Sequence, residues 1–161
     1  PDKHLGSYLI KKTNRQMKLW DGSCIVHVTF SERELIKIKT RNSDAKIIAH
    51  PECPENILSH ADFIGSTSSL ISFVNKDKSN KFIVATEPHI LHQMKKIEPN
   101  KKFIVAPGAD GNCSCSNCPF MELNTMEKLR NCMQTLSPEI SISNELILKA
   151  KKSLNTMLKL S

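Results

Sequence analysis

The strongest constraint on this chain is an internal repetition: four short apolar, β-rich runs, each followed by a helical pattern or a polar loop, fill the middle of the sequence. The runs are Lys46-Ile-Ile-Ala-His50, Phe63-Ile-Gly65, Lys81-Phe-Ile-Val-Ala85 and Lys102-Phe-Ile-Val-Ala106, and the pentapeptide KFIVA occurs twice. They do not alternate apolar with polar residues, so neither face of these strands suits water, which points to a parallel sheet covered on both sides. Helical patterns over 54–61, 68–75 and 88–96 supply the cover. An earlier helix opens at a capping box, Ser31-Glu-Arg-Glu34, in which hydroxyl and carboxylate satisfy orphan backbone N–H groups. The expected fold class is α/β: a three-layer αβα domain with a short parallel sheet over 25–118.

The flanks read differently. Residues 1–24 suggest a helix over 5–13, a strand over 17–20 and a glycine turn leading to Cys24. One such unit cannot bury itself, so 1–24 is expected to be the C-terminal end of a partial, incomplete αβα domain. The first residue, Pro1 rather than Met, agrees with a start inside a longer product. Residues 119–161 read as a C-terminal helical segment. Asn124 is the expected cap of its first helix, with Glu127 three residues on and an apolar stripe of Met126, Leu129, Met133 and Leu136. Pro138 breaks the chain, and a second helix over 143–158 is expected to face Leu146, Ile147, Ala150, Leu154 and Met157 inward.

A net charge of +7 raises the question of nucleic acid, but 19 of the 23 cationic residues are scattered lysines. One Trp and one Tyr offer little stacking surface, so no nucleic-acid partner is expected, and the charge suits a small anionic substrate instead. No apolar run approaches the length of a membrane span, so no membrane partner is expected.

Six cysteines stand at 24, 53, 113, 115, 118 and 132, three of them within six residues. That density suits a soft metal better than a disulfide framework. In open parallel α/β sheets, ligands collect at the carboxyl ends of the strands, and the polar clusters of this chain fall there. His50 and Glu52 lie two apart, so an extended backbone points both to one side for acid–base work; a solvated salt bridge is the plainer alternative. Gly65-Ser66-Thr67-Ser-Ser69 gathers hydroxyls and free N–H groups at a helix start, suited to phosphate or carboxylate, although capping alone would also explain it. Cys113-x-Cys115-x-x-Cys118-Pro suggests iron-sulfur ligation by cysteines drawn from separate segments, with Cys24 the distant partner. Cys53 and Cys132 read as ordinary packed thiols.

Taken together, Cys24-Ile-Val-His27, His50-Pro-Glu52-Cys-Pro, Ile64-Gly-Ser-Thr67-Ser-Ser, Ala85-Thr-Glu87 and the block running from Cys113 through Cys118-Pro-Phe-Met-x-Leu-Asn-Thr-Met-Glu-Lys resemble the quinolinate synthase family, in order and spacing over essentially the whole chain. The resemblance implies a cytoplasmic enzyme of NAD biosynthesis that condenses iminoaspartate with dihydroxyacetone phosphate to quinolinate, releasing phosphate and water. It implies three similar αβα domains about a pseudo-threefold axis, each giving one cysteine to a central [4Fe-4S] cluster whose open iron acts as a Lewis acid. Cys24 and Cys118 match cluster ligands, while Cys113 and Cys115 match neighbouring thiols that in some members form a reversible disulfide. His27, His50, Glu52, Ser66 and Thr67 match substrate-binding positions, with Glu52 the acid–base catalyst and His50 beside it.

The family's first domain, most of its second, the third cluster cysteine and an N-terminal His-x-Tyr motif have no counterpart here. The chain therefore reads as a C-terminal half that needs the missing N-terminal half as its partner and is inactive alone. Two other readings compete: a non-enzymatic zinc module through Cys113, Cys115 and Cys118, and a metal-free α/β domain binding an anion at Ser66 to Ser69.

Overall fold

A computed structural model describes residues 2–109 and 116–160 of the chain. The elements run α1 (Lys3–Thr13), a 3-10 turn (His27–Thr29), α2 (Glu32–Arg41), β1 (Lys46–Ala49), α3 (Glu55–Leu58), β2 (Phe63–Ile64), α4 (Thr67–Lys76), β3 (Lys81–Ala85), α5 (Ile90–Ile97), β4 (Lys102–Val105), α6 (Met126–Thr135) and α7 (Asn144–Leu160). Two compact units divide these elements, Pro1–Pro119 and Phe120–Ser161.

In the first unit, the four apolar runs form one parallel sheet in the order β2-β1-β3-β4. Both faces are buried, as the unbroken apolar runs require. Ile47 and Ala49 of β1 and Ile83 and Ala85 of β3 point to one face, where Leu35 of α2, Ile57 and Leu58 of α3, Val26, Phe30 and Cys53 cover them. Ile48, Phe82 and Val84 point to the other face, under Leu70 and Val74 of α4 and Ile90, Leu91 and Met94 of α5. The fold class is thus α/β with helices on both sides of a parallel sheet. Phe82 is fully buried and stacks with Phe103 across the β3–β4 pair at 6.0 Å. Phe82→Ala is expected to lower stability by about 3–5 kcal/mol, read as a shift in the urea midpoint at unchanged slope.

Local signals account for the element ends, with some differences from expectation. Ser31 caps α2, its hydroxyl accepting from the Glu34 N–H at 3.4 Å. The reciprocal half of the capping box does not form. The Ser31 N–H donates instead to the Pro107 carbonyl at 3.1 Å, and the Glu34 carboxylate turns to Lys37 at 2.7 Å. No strand forms over residues 17–20. Trp20 is 76% exposed, and a Cβ added to Gly6 of α1 would collide with Leu19, so this segment leans on the helix rather than joining a sheet. Lys101 closes α4 from outside, its ammonium donating to the Val74 carbonyl at 2.6 Å and the Asp77 carbonyl at 2.8 Å.

In the second unit, α6 begins one residue later than Asn124 predicts. Thr125 is the cap, its hydroxyl accepting from the Lys128 N–H at 3.2 Å. The apolar stripe is present but uncovered: Met126, Leu129, Met133 and Leu136 are exposed. Leu146, Ile147, Ala150, Leu154 and Met157 of α7 are likewise exposed rather than inward-facing. The burial expected of these two faces is not found within the unit, where no described residue covers them.

Candidate metal and substrate site

The strand order fixes where the chemistry gathers. From β1 the chain first moves outward to β2 and then crosses back to β3 on the other side, so the crevice between the carboxyl ends of β1 and β3 is the topological switch point. His50 is the first residue beyond β1, and its N–H donates to the Ala85 carbonyl at the end of β3 at 3.1 Å. Thr86 is the first residue beyond β3 and is buried. Residues 51–53 turn instead of continuing the strand, so His50 and Glu52 do not meet through strand alternation. The turn itself brings them together, with His50 Nδ1 3.8 Å from Glu52 Oε2 and the Glu52 N–H donating to that nitrogen at 3.4 Å.

His27, on the 3-10 turn, completes the cluster. Its ring stacks on His50 with centroids 4.7 Å apart and planes 18° apart. Nε2 lies 3.1 Å from the Thr86 hydroxyl, and Nδ1 lies 3.2 Å from Glu52 Oε2. That second approach is off-angle, so Nδ1 is buried without a hydrogen-bond partner among the described residues.

Burial lowers the His27 pKa to about 4, with the neighbouring His50 adding to the effect and Asp2 opposing it. His50 is also lowered, mainly by burial, against the carboxylates of Glu52 and Asp2. Both rings therefore favour the neutral form at pH 7. The unfolded chain protonates His27 near pH 6.5 and the folded chain only near pH 4, so between those values the unfolded state binds more protons. Stability of the chain is expected to fall as pH drops through that window, by up to about 3 kcal/mol from His27. Urea unfolding at neutral and mildly acid pH reads the change, and a midpoint independent of pH would contradict it.

Cys24 sits in the loop ahead of the 3-10 turn, not at a strand end. Its N–H donates to Asp2 Oδ2 at 2.8 Å, while Asp2 Oδ1 accepts from the His4 and Leu5 N–H groups at 2.8 and 3.0 Å and so caps α1. Donor atoms of Cys24, His27 and Glu52 all lie within 4.8 Å of one another, a set able to hold a metal ion. Cys118 is outside that group, but it and Cys24 are both half-buried against the same apolar cluster on one face of the sheet.

Cys53 is fully buried, its thiol donating to the Ala85 carbonyl at 3.3 Å, and burial raises its pKa strongly. It is a packed thiol, as expected. Cys132 is half-buried on α6, and Cys113 and Cys115 lie outside the described residues. The described residues thus bring one thiol, one imidazole and one carboxylate, those of Cys24, His27 and Glu52, close enough to share a metal ion, and the imidazole offers a buried ring nitrogen without a hydrogen bond among the described residues.

Ser66 and Thr67 stand at the end of β2, next to β1. Ser66 caps α4, its hydroxyl accepting from the Ser69 N–H at 3.3 Å and bonding the Ser69 hydroxyl at 2.9 Å. Both residues are exposed. Gly65 ahead of them is needed for close approach, because a Cβ there would come within 2.8 Å of Ser69 Cβ and 2.9 Å of the Phe63 ring. Asp2 and Thr86 are positions to which the sequence assigned no role of their own, although Thr86 stands within the Ala85-Thr-Glu87 motif at a strand end.

Fold and site together define a parallel α/β protein carrying a thiol, imidazole and carboxylate cluster at its switch point. The family model described as quinolinate synthetase A protein matches residues 1–159. The chain belongs to that family. It is 52% identical over 161 residues to the quinolinate synthases of Microcystis aeruginosa and Synechocystis, and 50% identical to that of Cyanophora paradoxa. In each case the whole chain is covered but only 50%, 50% and 49% of the relative, so the chain spans about half their length.

Proposed function

We propose that this chain supplies two cluster ligands and much of the substrate pocket of a quinolinate synthase that condenses iminoaspartate with dihydroxyacetone phosphate. The observation that carries the reading is the convergence of Cys24, His27, His50 and Glu52 on the switch-point crevice, with Cys118 on the same side of the sheet. Cys24 and Cys118 would hold a [4Fe-4S] cluster, which when bound supplies an open iron as a Lewis acid for carbonyl or hydroxyl oxygen. The four described cysteines, all free thiols, suit the reducing cytoplasm.

The chain's own residues do the proton work. Each loss of water needs one proton removed from carbon or nitrogen and one delivered to the departing oxygen. Glu52, a quarter exposed, takes the first. His27 and His50, stacked and neutral, hold the substrate polar groups beside it and keep water out of the buried side of the crevice. Thr86 fixes the His27 ring through Nε2. The first turn of α4 offers free N–H groups with the Ser66 and Thr67 hydroxyls to a carboxylate or phosphate of the substrate.

Iron-sulfur reconstitution without oxygen tests this reading. Two cysteine ligands hold a cluster poorly, so the 161-residue chain alone is expected to load little iron and form no quinolinate. Joined to the remaining half found in its relatives, it is expected to load four irons per assembly, as a [4Fe-4S] centre requires, and to turn over. Full loading and turnover by the chain alone would contradict the two-ligand assignment.

A further inference from the structure

We propose that Cys24, His27 and Glu52 form a mononuclear site that takes a single zinc ion, and that zinc and the cluster are mutually exclusive because both require the Cys24 sulfur. The three donor atoms already lie within 4.8 Å of one another. His27 Nδ1 stands 3.2 Å from Glu52 Oε2, about the separation of two ligands on one tetrahedral ion. That nitrogen is the buried polar side-chain atom left without a hydrogen bond among the described residues, on a side chain 7% exposed. An ion bound by its lone pair would resolve the deficit.

Ligation through Nδ1 requires the ring proton on Nε2. The Thr86 hydroxyl stands 3.1 Å from Nε2 and accepts that proton's hydrogen bond, orienting the ring as outer partners of metal-bound histidines do. Cys24 is held from the other side, its N–H pinned to Asp2 Oδ2 at 2.8 Å. Binding releases the thiol proton of Cys24 to solvent and leaves the metal with one sulfur, one nitrogen, one oxygen and an open fourth position. Three mixed protein ligands with one open place suit zinc, whereas calcium and magnesium favour all-oxygen sets.

The zinc site is independent of Cys118 and of the cluster; only the exclusion between the two rests on the proposed function. Titration of the metal-free 161-residue chain with zinc against a chromophoric chelator, and with cobalt as a spectroscopic probe, tests it. One zinc per chain is expected, with a thiolate-to-cobalt charge-transfer band and four-coordinate visible bands.

Cys24→Ser should abolish that band, and Glu52→Gln should weaken binding at least tenfold. Thr86→Val should weaken it by about 10–100-fold, while Cys118→Ser leaves it unchanged. Circular dichroism of each variant separates loss of ligand from loss of fold. Zinc binding retained in Cys24→Ser, or lost in Cys118→Ser, overturns the site. In the assembled full-length protein, prior zinc loading is expected to block iron uptake, and undiminished iron uptake at one bound zinc overturns the exclusion.

Discussion

Glu52→Gln is expected to lower quinolinate formation by about 10²–10⁴-fold in the full-length assembly, with stability nearly unchanged. Glutamine keeps the shape of the side chain and still reaches His27 Nδ1 and His50 Nδ1, now 3.2 and 3.8 Å from the carboxylate. It cannot carry a proton between substrate atoms. Because Glu52 is a quarter exposed, losing its charge disturbs packing little, and the urea midpoint should move by less than the equivalent of about 1 kcal/mol. Steady-state rates with both substrates check the effect. A variant within fivefold of the parent would remove Glu52 from the proton chemistry and leave it a positioning role.

Cys24→Ala is expected to reduce cluster iron and sulfide to background in the same assembly, with loss of the visible iron-sulfur absorption. Cys118→Ala should do likewise, and Cys53→Ala should not. The contrast is physical. Cys53 is walled in by the core and its thiol is spent on the Ala85 carbonyl, while Cys24 and Cys118 are only half-buried. Equal iron loss in all three variants would indicate a general loss of fold, and melting curves would expose it. Iron retained in Cys24→Ala would end the two-ligand assignment.

The sheet was legible because four apolar runs leave little other choice, and β1, β3 and β4 fall within one residue of the expected ends. Residues 17–20 were not legible as loop. Their apolar letters resemble a strand, but Leu19 is used against Gly6, and no strand pairs with them among the described residues. Asn124 and Thr125 are both good caps, and only backbone geometry selects the second. The exposed stripes on α6 and α7 show the limit of periodicity, which gives the direction of a face and not what covers it.

At the site, His50 and Glu52 were found for an incomplete reason: a turn, not a strand, joins them. Thr86 was read only as part of the Ala85-Thr-Glu87 motif, because a lone hydroxyl after an apolar run carries no role of its own. Its importance depends on His27 arriving from 59 residues earlier in the chain.

The two oxygens of the Asp2 carboxylate do separate jobs, one ending the backbone deficit of α1 and the other gripping the amide ahead of the Cys24 sulfur. That makes the opening turn of α1 and the Cys24 loop a single mechanical part. Unwinding the helix by a turn withdraws the anchor that holds the Cys24 backbone, so a disturbance at the second residue of the chain is transmitted to the position of that thiol across 22 positions of sequence.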